Sequence, residues 1–354
     1  METLMNQSMH IPPFDDALRA RLQAAVDTKT KPLGALGRLE SLAVQIGLIQ
    51  NTEAPELTRP AVVVFAADHG IAHAGVSAYP QAVTAQMVLN FIAGGAAVNV
   101  FCRQHGFALE VVNAGVAAPL WAADTPGLID APIGPGTRNF AEQPAMTVDE
   151  RDRAMALGAQ RVAHHAALGT NVIALGEMGI ANTASAACLM ARLCNLPVAQ
   201  CVGRGTGLDD DGLAHKRAVL EAAMAKHADV HDPLDVLACF GGFEVAAMTG
   251  AVLEAAQRRM VILVDGFIAT AAVLVAARVA PDVLRFCVFG HVSDERGHRA
   301  LLEALDARPL LSLSLRLGEG SGAVLAYPVL VSAVAFLREM ATFASAGVSE
   351  RSGS

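Results

Sequence analysis

Aromatic residues are scarce in this chain of 354 residues: they make up 5% of it, while all hydrophobic residues together make up 53%. The core must therefore be built mainly from Ala, Val, Leu and Ile, as in helices packed closely on a parallel sheet. Long apolar runs are also missing, because the two best, residues 267–277 and 322–337, are shorter than the ~20 residues that cross a bilayer. Despite a mean hydropathy of +0.41, the sequence predicts buried helices and no membrane partner.

An excess of basic charge is absent as well. The formal charge is -8, from 34 acidic and 26 basic residues, and no stripe rich in Lys or Arg is present. Nucleic acid is therefore not an expected partner, because binding to a phosphate backbone needs clustered cations. Residues 1–14 contain no basic region followed by an apolar core, so a secretory signal is not expected.

The six cysteines form no CxxC pair and no His/Cys cluster with the spacing of metal ligands. Isolated cysteines of this kind are typical of reduced, buried thiols. The pattern predicts a cytoplasmic protein with no metal site. The cysteines are Cys102, Cys188, Cys194, Cys201, Cys239 and Cys287.

Two nucleotide-binding motifs are also missing. The chain has no Walker A sequence, GxxxxGK[ST], and no G-x-G-x-x-G fingerprint directly after a predicted strand. Hydrolysis of nucleoside triphosphates and ordinary NAD-dependent oxidoreduction are therefore disfavoured.

What the chain does contain is a regular alternation of apolar runs and polar or glycine-rich turns. Helical patterns separate the runs, which implies βαβ crossovers and a mainly parallel, Rossmann-like sheet covered by helices. The loops after the strands would then gather at one edge of the sheet and form one crevice. Residues 1–60 read as helical, and residues 119–142 as irregular, either covering part of the site or forming a plain surface loop. The predicted strands are 61–67, 171–175, 260–264, 284–289 and 310–317.

The most informative turn is Gly318-Glu-Gly-Ser-Gly322, between the predicted strand 310–317 and a predicted helix over 323–340. This order places the Glu319 carboxylate at the carboxyl edge of a strand, where ligands bind in open α/β sheets. The neighbouring helix N-terminus favours the ionised form of an acid. Glu319 is therefore a candidate general base.

A second glycine turn, Gly176-Glu-Met-Gly179, follows a predicted strand and precedes a helix predicted from Asn182. Backbone N–H groups at such a turn suit a phosphate, while the alternative is a tight turn that needs glycine for its backbone angles. Glu177 argues against a pure phosphate cradle, because a carboxylate there would instead contact a ribose hydroxyl or a cationic ring.

A third cluster, residues 203–212, contains Gly203 and Arg204 and is followed by Lys216. Arg204 and Lys216 are the cations expected to contact a phosphate. The three aspartates at 209–211 would suit either Mg²⁺ or the cap of the helix that follows, and capping is favoured.

Two further groups of side chains follow the first predicted strand. His69 and His73 stand four positions apart, which suits turn capping or a site wall better than zinc, because further ligands are not evident. Beyond them, polar and soft apolar side chains suit a pocket for a flat ring. These are Ser77, Tyr79, Gln86 and Met87.

Taken together, these stretches resemble one family, the nicotinate-nucleotide:5,6-dimethylbenzimidazole phosphoribosyltransferases of cobalamin nucleotide-loop assembly. The resemblance runs from Leu18 to Ala344. It implies a homodimer in which each chain has a large α/β domain, residues 61–322, and a small helical domain from both chain ends, residues 1–60 and 323–354. The matching stretches are 31–40, 66–71, 77–90, 94–99, 176–183, 203–208, 240–244, 264–267 and 318–322.

The resemblance also implies a reaction. The phosphoribosyl group of nicotinate mononucleotide moves to dimethylbenzimidazole, which gives α-ribazole 5′-phosphate and nicotinate, with Glu319 as general base and Glu177 as a second acid. No cofactor is implied, because the pyridinium leaves as a neutral ring nitrogen without help from an acid or a metal. The implied base pocket is Ser77, Tyr79, Gln86, Met87 and Leu317. The implied phosphate and ribose contacts are Gly176, Gly179, Asn182, Gly203, Arg204 and Lys216.

Two alternatives remain open at this point. One is the same chemistry on a different aromatic acceptor, such as a purine, another benzimidazole or a phenol. The other is a non-catalytic nucleotide-binding protein on the same fold, against which the presence of both Glu319 and Glu177 argues.

Overall fold

A computed structural model describes residues 10–122, 124–205 and 207–349. Its centre is a six-stranded sheet in which every paired strand is parallel to its neighbour. The predicted parallel α/β class is therefore confirmed. The strands are β1 (Ala61–Ala67), β2 (Ala108–Gly115), β3 (Leu128–Asp130), β4 (Val172–Met178), β5 (Val261–Val264) and β6 (Cys287–Phe289).

The order of the strands is β3-β2-β1-β4-β5-β6, which is the doubly wound order. The chain adds β2 and β3 on one side of β1 and then β4, β5 and β6 on the other, so the topological switch point lies between β1 and β4. Crevices that bind ligands form outside the carboxyl ends of the strands at this switch point. Val63 of β1 pairs with Leu175 of β4, and all seven residues of β1 are buried. Such unbroken apolar strands are expected in a parallel sheet that has helices on both faces.

Helices flank the sheet and connect its strands. They are α1 (Asp16–Asp27), α2 (Arg38–Gln50), α3 (Ala82–Ala93), α4 (Ala97–His105), α5 (Val148–Ala167), α6 (Asn182–Leu193), α7 (Val198–Cys201), α8 (Asp210–Lys226), α9 (Pro233–Phe240), α10 (Phe243–Gln257), α11 (Phe267–Val279), α12 (Arg296–Ala304), α13 (Ser321–Glu339) and α14 (Phe343–Ala346), with 3₁₀ turns at Gly70–Ala74 and Pro281–Phe286.

The predicted strand over 310–317 is wrong. Leu311 forms one parallel bridge with His291 beyond the end of β6, and Ser314 then adopts a left-handed conformation with φ 54°. A left-handed non-glycine residue breaks the extended backbone that a strand requires. Leu317 is 58% exposed, so this segment lies on the surface as an irregular extension of the sheet edge.

Two other strand assignments need correction. The predicted strand 284–289 is shortened to Cys287–Phe289, because residues 281–286 form a 3₁₀ turn. β2 and β3 were not predicted, and β3 lies inside the stretch 119–142 that reads as irregular. A signal for β2 was present in the β-branched pair Val111 and Val112.

Helices α5 and α10 cross at very short range. A Cβ at Gly158 of α5 would overlap the backbone of Ala247, and a Cβ at Gly250 of α10 would overlap the backbone of Met155. The two glycines let the helix backbones touch directly, so this crossing leaves no room for side chains.

The two ends of the chain pack against each other. Helix α2 packs on α13, Lys29 forms an antiparallel bridge with Thr342, and Lys29 Nζ donates to the carbonyl of Met340 at 2.7 Å. Between α1 and α2, Lys31 Nζ lies 2.9 Å from Glu40 Oε1 in a buried ion pair. The division into domains at residues 60 and 322 stays a prediction, because α13 also contacts α4, β4 and β5.

Within the part of the chain that the structure describes, two helical stretches are long and apolar enough to cross a membrane by length and composition: α13 and Ala82–His105. The second was not among the apolar runs predicted from the sequence, and glycines 94 and 95 divide it into α3 and α4. In α13, 56% of the most apolar 18-residue window is buried, and in Ala82–His105 the corresponding share is 39%. Core helices of this kind meet the same criteria, so the two stretches are weak evidence for a membrane.

Five of the six cysteines are buried and Cys194 is half-buried, and all six are free thiols. Burial raises the pKa of the Cys201 thiol to about 12. These thiols therefore remain protonated at neutral pH, in agreement with the predicted reduced and buried state.

Candidate active site

The loop 318–320 lies against the carboxyl end of β4. Gly318, Glu319 and Gly320 all have positive φ, at 87°, 65° and 82°. A Cβ at Gly176 of β4 would overlap the carbonyl of Glu319, so glycine there permits the close approach of the two backbones. A left-handed glutamate is an uncommon conformation that the surrounding contacts must hold in place.

Asp265, which directly follows β5, anchors this loop. Its Oδ2 accepts a hydrogen bond from Gly320 N at 3.1 Å, and its Oδ1 accepts one from Ala323 N at 3.0 Å. His291 Nε2 lies 3.4 Å from Asp265 Oδ1. Burial lowers the pKa of His291, but the hydrogen bond and the charge of Asp265 outweigh burial and raise it overall. The loop is thus fixed by a carboxylate at the N-terminus of α13.

Glu319 is 4% exposed, and its Oε2 faces Val98 N in the first turn of α4 at 3.5 Å. Burial raises the pKa of this carboxyl to about 7, the contact with Val98 N opposes the rise, and the charge of Asp265 adds to it. The prediction that a helix N-terminus favours the ionised form holds only in part, since burial has the larger effect. The helix involved is α4 and not the helix that follows the loop. A carboxyl with this pKa exchanges its proton near neutral pH.

Glu177 lies inside β4, one residue before its end, and not in the loop predicted after the strand. Its Oε2 accepts a hydrogen bond from Asn182 Nδ2 at 2.5 Å. Burial, followed by the charges of Asp265, Glu244 and Glu319, raises the pKa of Glu177 well above its ordinary value. Burial thus favours the protonated form of Glu177, beside a Glu319 whose pKa is about 7.

Glu177 and the loop 318–320 are in direct contact. A Cβ at Gly318 would overlap Glu177 Oε1. The structure thus brings the two predicted acids together, although they are distant in the sequence. Burial raises the pKa of both carboxyls, and strongly shifted pKa values of this kind are typical of functional sites.

A crevice of about 660 Å³, including the solvent at its mouth, opens beside Glu177 and Gly318. Glu319 is not among the residues that line it, and its loop reaches the crevice through Gly318. Glu177, Gly179, Asn182 and Leu317 are among its lining residues, and the first turns of α6 and α11 form two of its walls. The enclosed part of the crevice is only about 90 Å³. This is smaller than the roughly 300–1,000 Å³ of a pocket that surrounds a whole ligand, so the crevice encloses only part of a nucleotide-sized molecule.

Of the two cations predicted to contact phosphate, Lys216 is buried and Arg204 is exposed. Lys216 is fully buried, and its Nζ donates to Thr183 Oγ1, a residue of the crevice wall, at 2.8 Å. Burial lowers the pKa of Lys216 to about 8. Arg204 is exposed and forms an ion pair with Asp210 at the start of α8. Lys216 therefore stands behind the crevice wall, while Arg204 is engaged at the surface.

Gly203 lies against an acid. A Cβ at Gly203 would overlap the carboxylate of Glu295, and Gly205 N donates to Glu295 Oε1 at 3.3 Å. A phosphate at this position would face a carboxylate, which is unfavourable. Asp209 accepts from Gly212 N at 2.8 Å, so the predicted helix cap is confirmed for this aspartate.

Of the predicted base pocket, only Leu317 lines this crevice. The four others lie before and within α3, where Tyr79 is 53% exposed. Helix α3 itself adjoins the crevice, because Ile180 N donates to Thr84 Oγ1 at 3.2 Å. The structure therefore places Ser77, Tyr79, Gln86 and Met87 on a neighbouring element and not in the crevice wall.

Sequence reasoning missed several residues of the crevice wall. Arg316, Glu295, Gly266 and Ser293 all line it. A signal was present, since Ser293 and Gly266 each closely follow a predicted strand, but Ser293 reads equally well as a helix cap. His69, one of the two histidines after the first strand, has its Nε2 2.5 Å from Glu244 Oε1, and both side chains are buried.

Fold and site together define an α/β protein of the doubly wound class, with two neighbouring acids and a crevice at the carboxyl edge of its sheet. Comparison with known proteins makes the assignment specific. The phosphoribosyltransferase family model DBI_PRT matches residues 11–348.

The curated relatives of this chain support the same family assignment. The nicotinate-nucleotide–dimethylbenzimidazole phosphoribosyltransferase of Ralstonia nicotianae is 83% identical over 341 residues, which cover 96% of each chain. The enzyme of the same name from Cupriavidus taiwanensis is 67% identical over 98% of this chain and 99% of its own. The crystal structure of CobT from Thermus thermophilus superposes with a TM-score of 0.91 at 46% identity, over 95% of this chain and all of the other. The chain belongs to the nicotinate-nucleotide–dimethylbenzimidazole phosphoribosyltransferase family.

Proposed function

We propose that this chain is a pentosyltransferase that moves the phosphoribosyl group of nicotinate mononucleotide to 5,6-dimethylbenzimidazole, with Glu319 as general base. The products are α-ribazole 5′-phosphate and nicotinate. The observation that carries the proposal is the buried Glu319 carboxyl with its pKa of about 7, held beside Glu177 at the carboxyl edge of the sheet. The names of relatives with up to 83% identity support the choice of substrates.

The chemistry requires one base. The imidazole nitrogen of dimethylbenzimidazole attacks C1 of the ribose while the bond from C1 to the pyridinium nitrogen breaks. The pyridinium leaves as a neutral ring, so no proton is needed on that side. The second N–H of the imidazole becomes acidic as the new bond forms, and the carboxylate of Glu319 accepts that proton. General-base help of this kind is typically worth roughly 10² to 10⁴-fold.

Attack on the face opposite the leaving group converts the β-linkage of the substrate into the α-linkage of the product. Alignment of donor and acceptor in one crevice supplies the remainder of the rate enhancement. The configuration at C1 is read by NMR of the purified product, and a β-linked product would contradict this geometry.

Glu177 has a different role in this proposal. In this proposal Glu177 is protonated and its O–H donates a hydrogen bond toward substrate. Burial, which raises its pKa well above the ordinary value, favours that form. Gln is also neutral and retains an oxygen that can accept from Asn182 Nδ2. Glu177→Gln is therefore expected to retain activity within about tenfold, because it removes no ionised group.

The nucleotide half of the substrate is proposed to lie along the first turns of α6 and α11, whose N–H groups and dipoles favour a phosphate. Lys216 behind Thr183 and Arg316 on the crevice wall supply positive charge. Gly176, Gly179 and Asn182 fit this arrangement. Gly203 and Arg204 fit it less well, because their neighbours are Glu295 and Asp210. The contacts of Ser77, Tyr79, Gln86 and Met87 with the acceptor rest on the family resemblance.

The direct test mixes purified protein, nicotinate mononucleotide and dimethylbenzimidazole without added metal and measures α-ribazole 5′-phosphate by chromatography and mass. Product is expected with the wild type, and a loss of roughly 10² to 10⁴-fold with Glu319→Gln. Glu303→Gln, which changes an exposed glutamate of α12, is the matched control. If adenine or a phenol is consumed instead of dimethylbenzimidazole, the reaction stands but its acceptor is a different one. If no acceptor receives the phosphoribosyl group, the chain is a nucleotide-binding protein and not a transferase.

We also propose a cytoplasmic homodimer. Leu89 of α3, Val100 of α4 and Val331 of α13 are exposed apolar side chains, and α4 packs against α13. Apolar side chains on neighbouring helices suit an interface with a second copy. Sedimentation equilibrium is expected to give twice the 36.7 kDa chain mass, and Val100→Asp to shift the protein toward the monomer. A wild-type monomer at micromolar concentration would contradict the dimer.

A further inference from the structure

A buried histidine that the proposed reaction does not use lies behind the crevice. His298 of α12 is fully buried, and its ring nitrogens have two polar partners. Ser293 N lies 2.8 Å from Nδ1, and Thr270 Oγ1 lies 3.0 Å from Nε2. Thr270, in the first turn of α11, is also fully buried, and its Oγ1 donates to the carbonyl of Gly266 at 2.8 Å.

These contacts determine which ring nitrogen of His298 carries a proton and where the hydroxyl proton of Thr270 points. Ser293 N–H is a donor, so Nδ1 of His298 must be an unprotonated acceptor. The neutral ring then carries its proton on Nε2 and donates it to Thr270 Oγ1, whose own proton goes to the carbonyl of Gly266. Burial, followed by the charge of His291, lowers the pKa of His298 to about 3, so the ring stays neutral at every pH at which the protein would be assayed.

We refer to the chain Ser293–His298–Thr270–Gly266 as the relay. It joins two loops from different parts of the sequence, the turn after β5 and the turn after β6. Ser293 and Gly266, its two ends, both line the crevice, whereas His298 and Thr270 lie behind it. The carbonyl of Gly266 also accepts from Thr270 N at 3.0 Å, so it is held pointing into α11. The first N–H groups of α11 have no acceptor within the helix, and they lie at its N-terminal end, where Phe267 and Ile268 line the crevice.

Packing reinforces the hydrogen bonds. The ring of His298 lies 6.3 Å from the ring of Phe267, the first residue of α11. A Cβ at Gly297 would press on the same Phe267 ring at 3.1 Å. The start of α11 is therefore held against α12 by both apolar and polar contacts, and the relay is the directional part of that attachment.

We propose that His298 and Thr270 are positioning residues that fix the first turn of α11 and Ser293 as one rigid wall for the phosphoribosyl end of the substrate. This inference rests on the proposed function for the identity of the ligand. Neither residue touches the substrate. The relay acts through the two loops, so its loss should weaken binding of the nucleotide and leave the acceptor base, on the Leu317 side, unaffected.

The test compares two substitutions at position 270. Thr270→Val has the same shape but no hydroxyl, so His298 Nε2–H loses its buried acceptor, whereas Thr270→Ser keeps the hydroxyl. Thr270→Val is expected to raise both the KM and the calorimetric Kd for nicotinate mononucleotide by about tenfold, as for one buried hydrogen bond left unmade. The KM for dimethylbenzimidazole is expected to stay within about twofold, and Thr270→Ser to match the wild type in all three quantities.

A second variant guards against a failure of Thr270→Val to fold. In His298→Asn, the amide oxygen can replace Nδ1 as acceptor for Ser293 N, but the side chain is too short to reach Thr270. The same rise in KM and Kd for nicotinate mononucleotide is expected. If either folded variant has a lower melting temperature but an unchanged Kd for nicotinate mononucleotide, the role is structural and the proposal is overturned.

The Kd separates this proposal from the proposed function. If the wild type binds nicotinate mononucleotide but transfers nothing to any base, the proposed reaction fails, while the comparison of Kd between Thr270→Val and Thr270→Ser still decides the relay. If the wild type does not bind nicotinate mononucleotide at all, both proposals are overturned.

Discussion

Glu319→Gln is expected to make the protein more stable while it removes activity, and to do so more strongly at alkaline pH. The folded protein holds the proton of Glu319 up to a pH of about 7, whereas the unfolded chain releases it near the ordinary pKa of 4.5. Between these values the folded state binds more protons, so the free energy of unfolding falls as the pH rises. Glutamine has no proton to release and avoids this loss.

The magnitude follows from the two pKa values. Compared with a side chain that never ionises, Glu319 lowers the free energy of unfolding by about 3 kcal/mol at pH 8 and by about 1 kcal/mol at pH 5, where only the unfolded chain is ionised. The side chain is only 4% exposed, so solvent screening does not reduce this cost substantially. Glu319→Gln is therefore expected to raise the free energy of unfolding by about 2 kcal/mol more at pH 8 than at pH 5.

Urea-induced unfolding, followed by circular dichroism at both pH values, measures this difference. Glu303→Gln on the exposed side of α12 is the control, since it removes a glutamate of the same size and charge at the surface. An equal change in stability at pH 5 and pH 8 would refute the reasoning, because the destabilisation would then not come from ionisation of Glu319.

Three further outcomes are expected. The kcat/KM of the wild type should fall about tenfold per pH unit below a pKa of about 7, because protonated Glu319 is no longer a base; a profile flat from pH 5 to 8 would exclude it from that role. Gly318→Ala should reduce transfer more than about tenfold and destabilise by roughly 1–3 kcal/mol, as seen in initial rates and urea midpoints, because φ is 87° and the Cβ would overlap Glu177 Oε1. Gly158→Ala should lower the free energy of unfolding by at least about 3 kcal/mol without a specific effect on KM, because its Cβ would overlap the backbone of Ala247, and an unchanged urea midpoint would disprove the tight helix crossing.

The parallel sheet was readable in the sequence where strands are buried on both faces. Runs such as β1 contain nothing but apolar residues and end at a polar turn. β2 is partly exposed at its start, so its pattern is less distinct. The leucines of 310–317 have the pattern of a strand, but the left-handed Ser314 interrupts the pairing that begins at Leu311. Beyond it, Asp294 N still donates to the carbonyl of Leu315 at 2.8 Å, without a continuous strand.

The candidate acids Glu319 and Glu177 could be identified from the sequence, whereas the shifts of their pKa values could not. Glycines around an isolated carboxylate pointed to Glu319. Its pKa, however, depends on burial and on Val98, which precedes it by 221 residues. The wall residues Arg316 and Glu295 meet in the crevice only because several loops converge there. Contacts between residues this far apart in the sequence form only in the folded protein, so a local sequence pattern cannot predict them.

The meeting of the two chain ends has a consequence for biosynthesis. Helix α2 ends at Gln50, and its partner α13 begins at Ser321, about 270 residues later. A ribosome makes the chain from its N-terminus at roughly 5–20 residues per second, so α2 emerges many seconds before the helix that covers it. Throughout that interval the apolar side of α2 has no native cover from α13. Both strands of the pair β1 and β4 are synthesised in that interval, whereas the helix that packs over α2 is among the later parts of this sequence to be made.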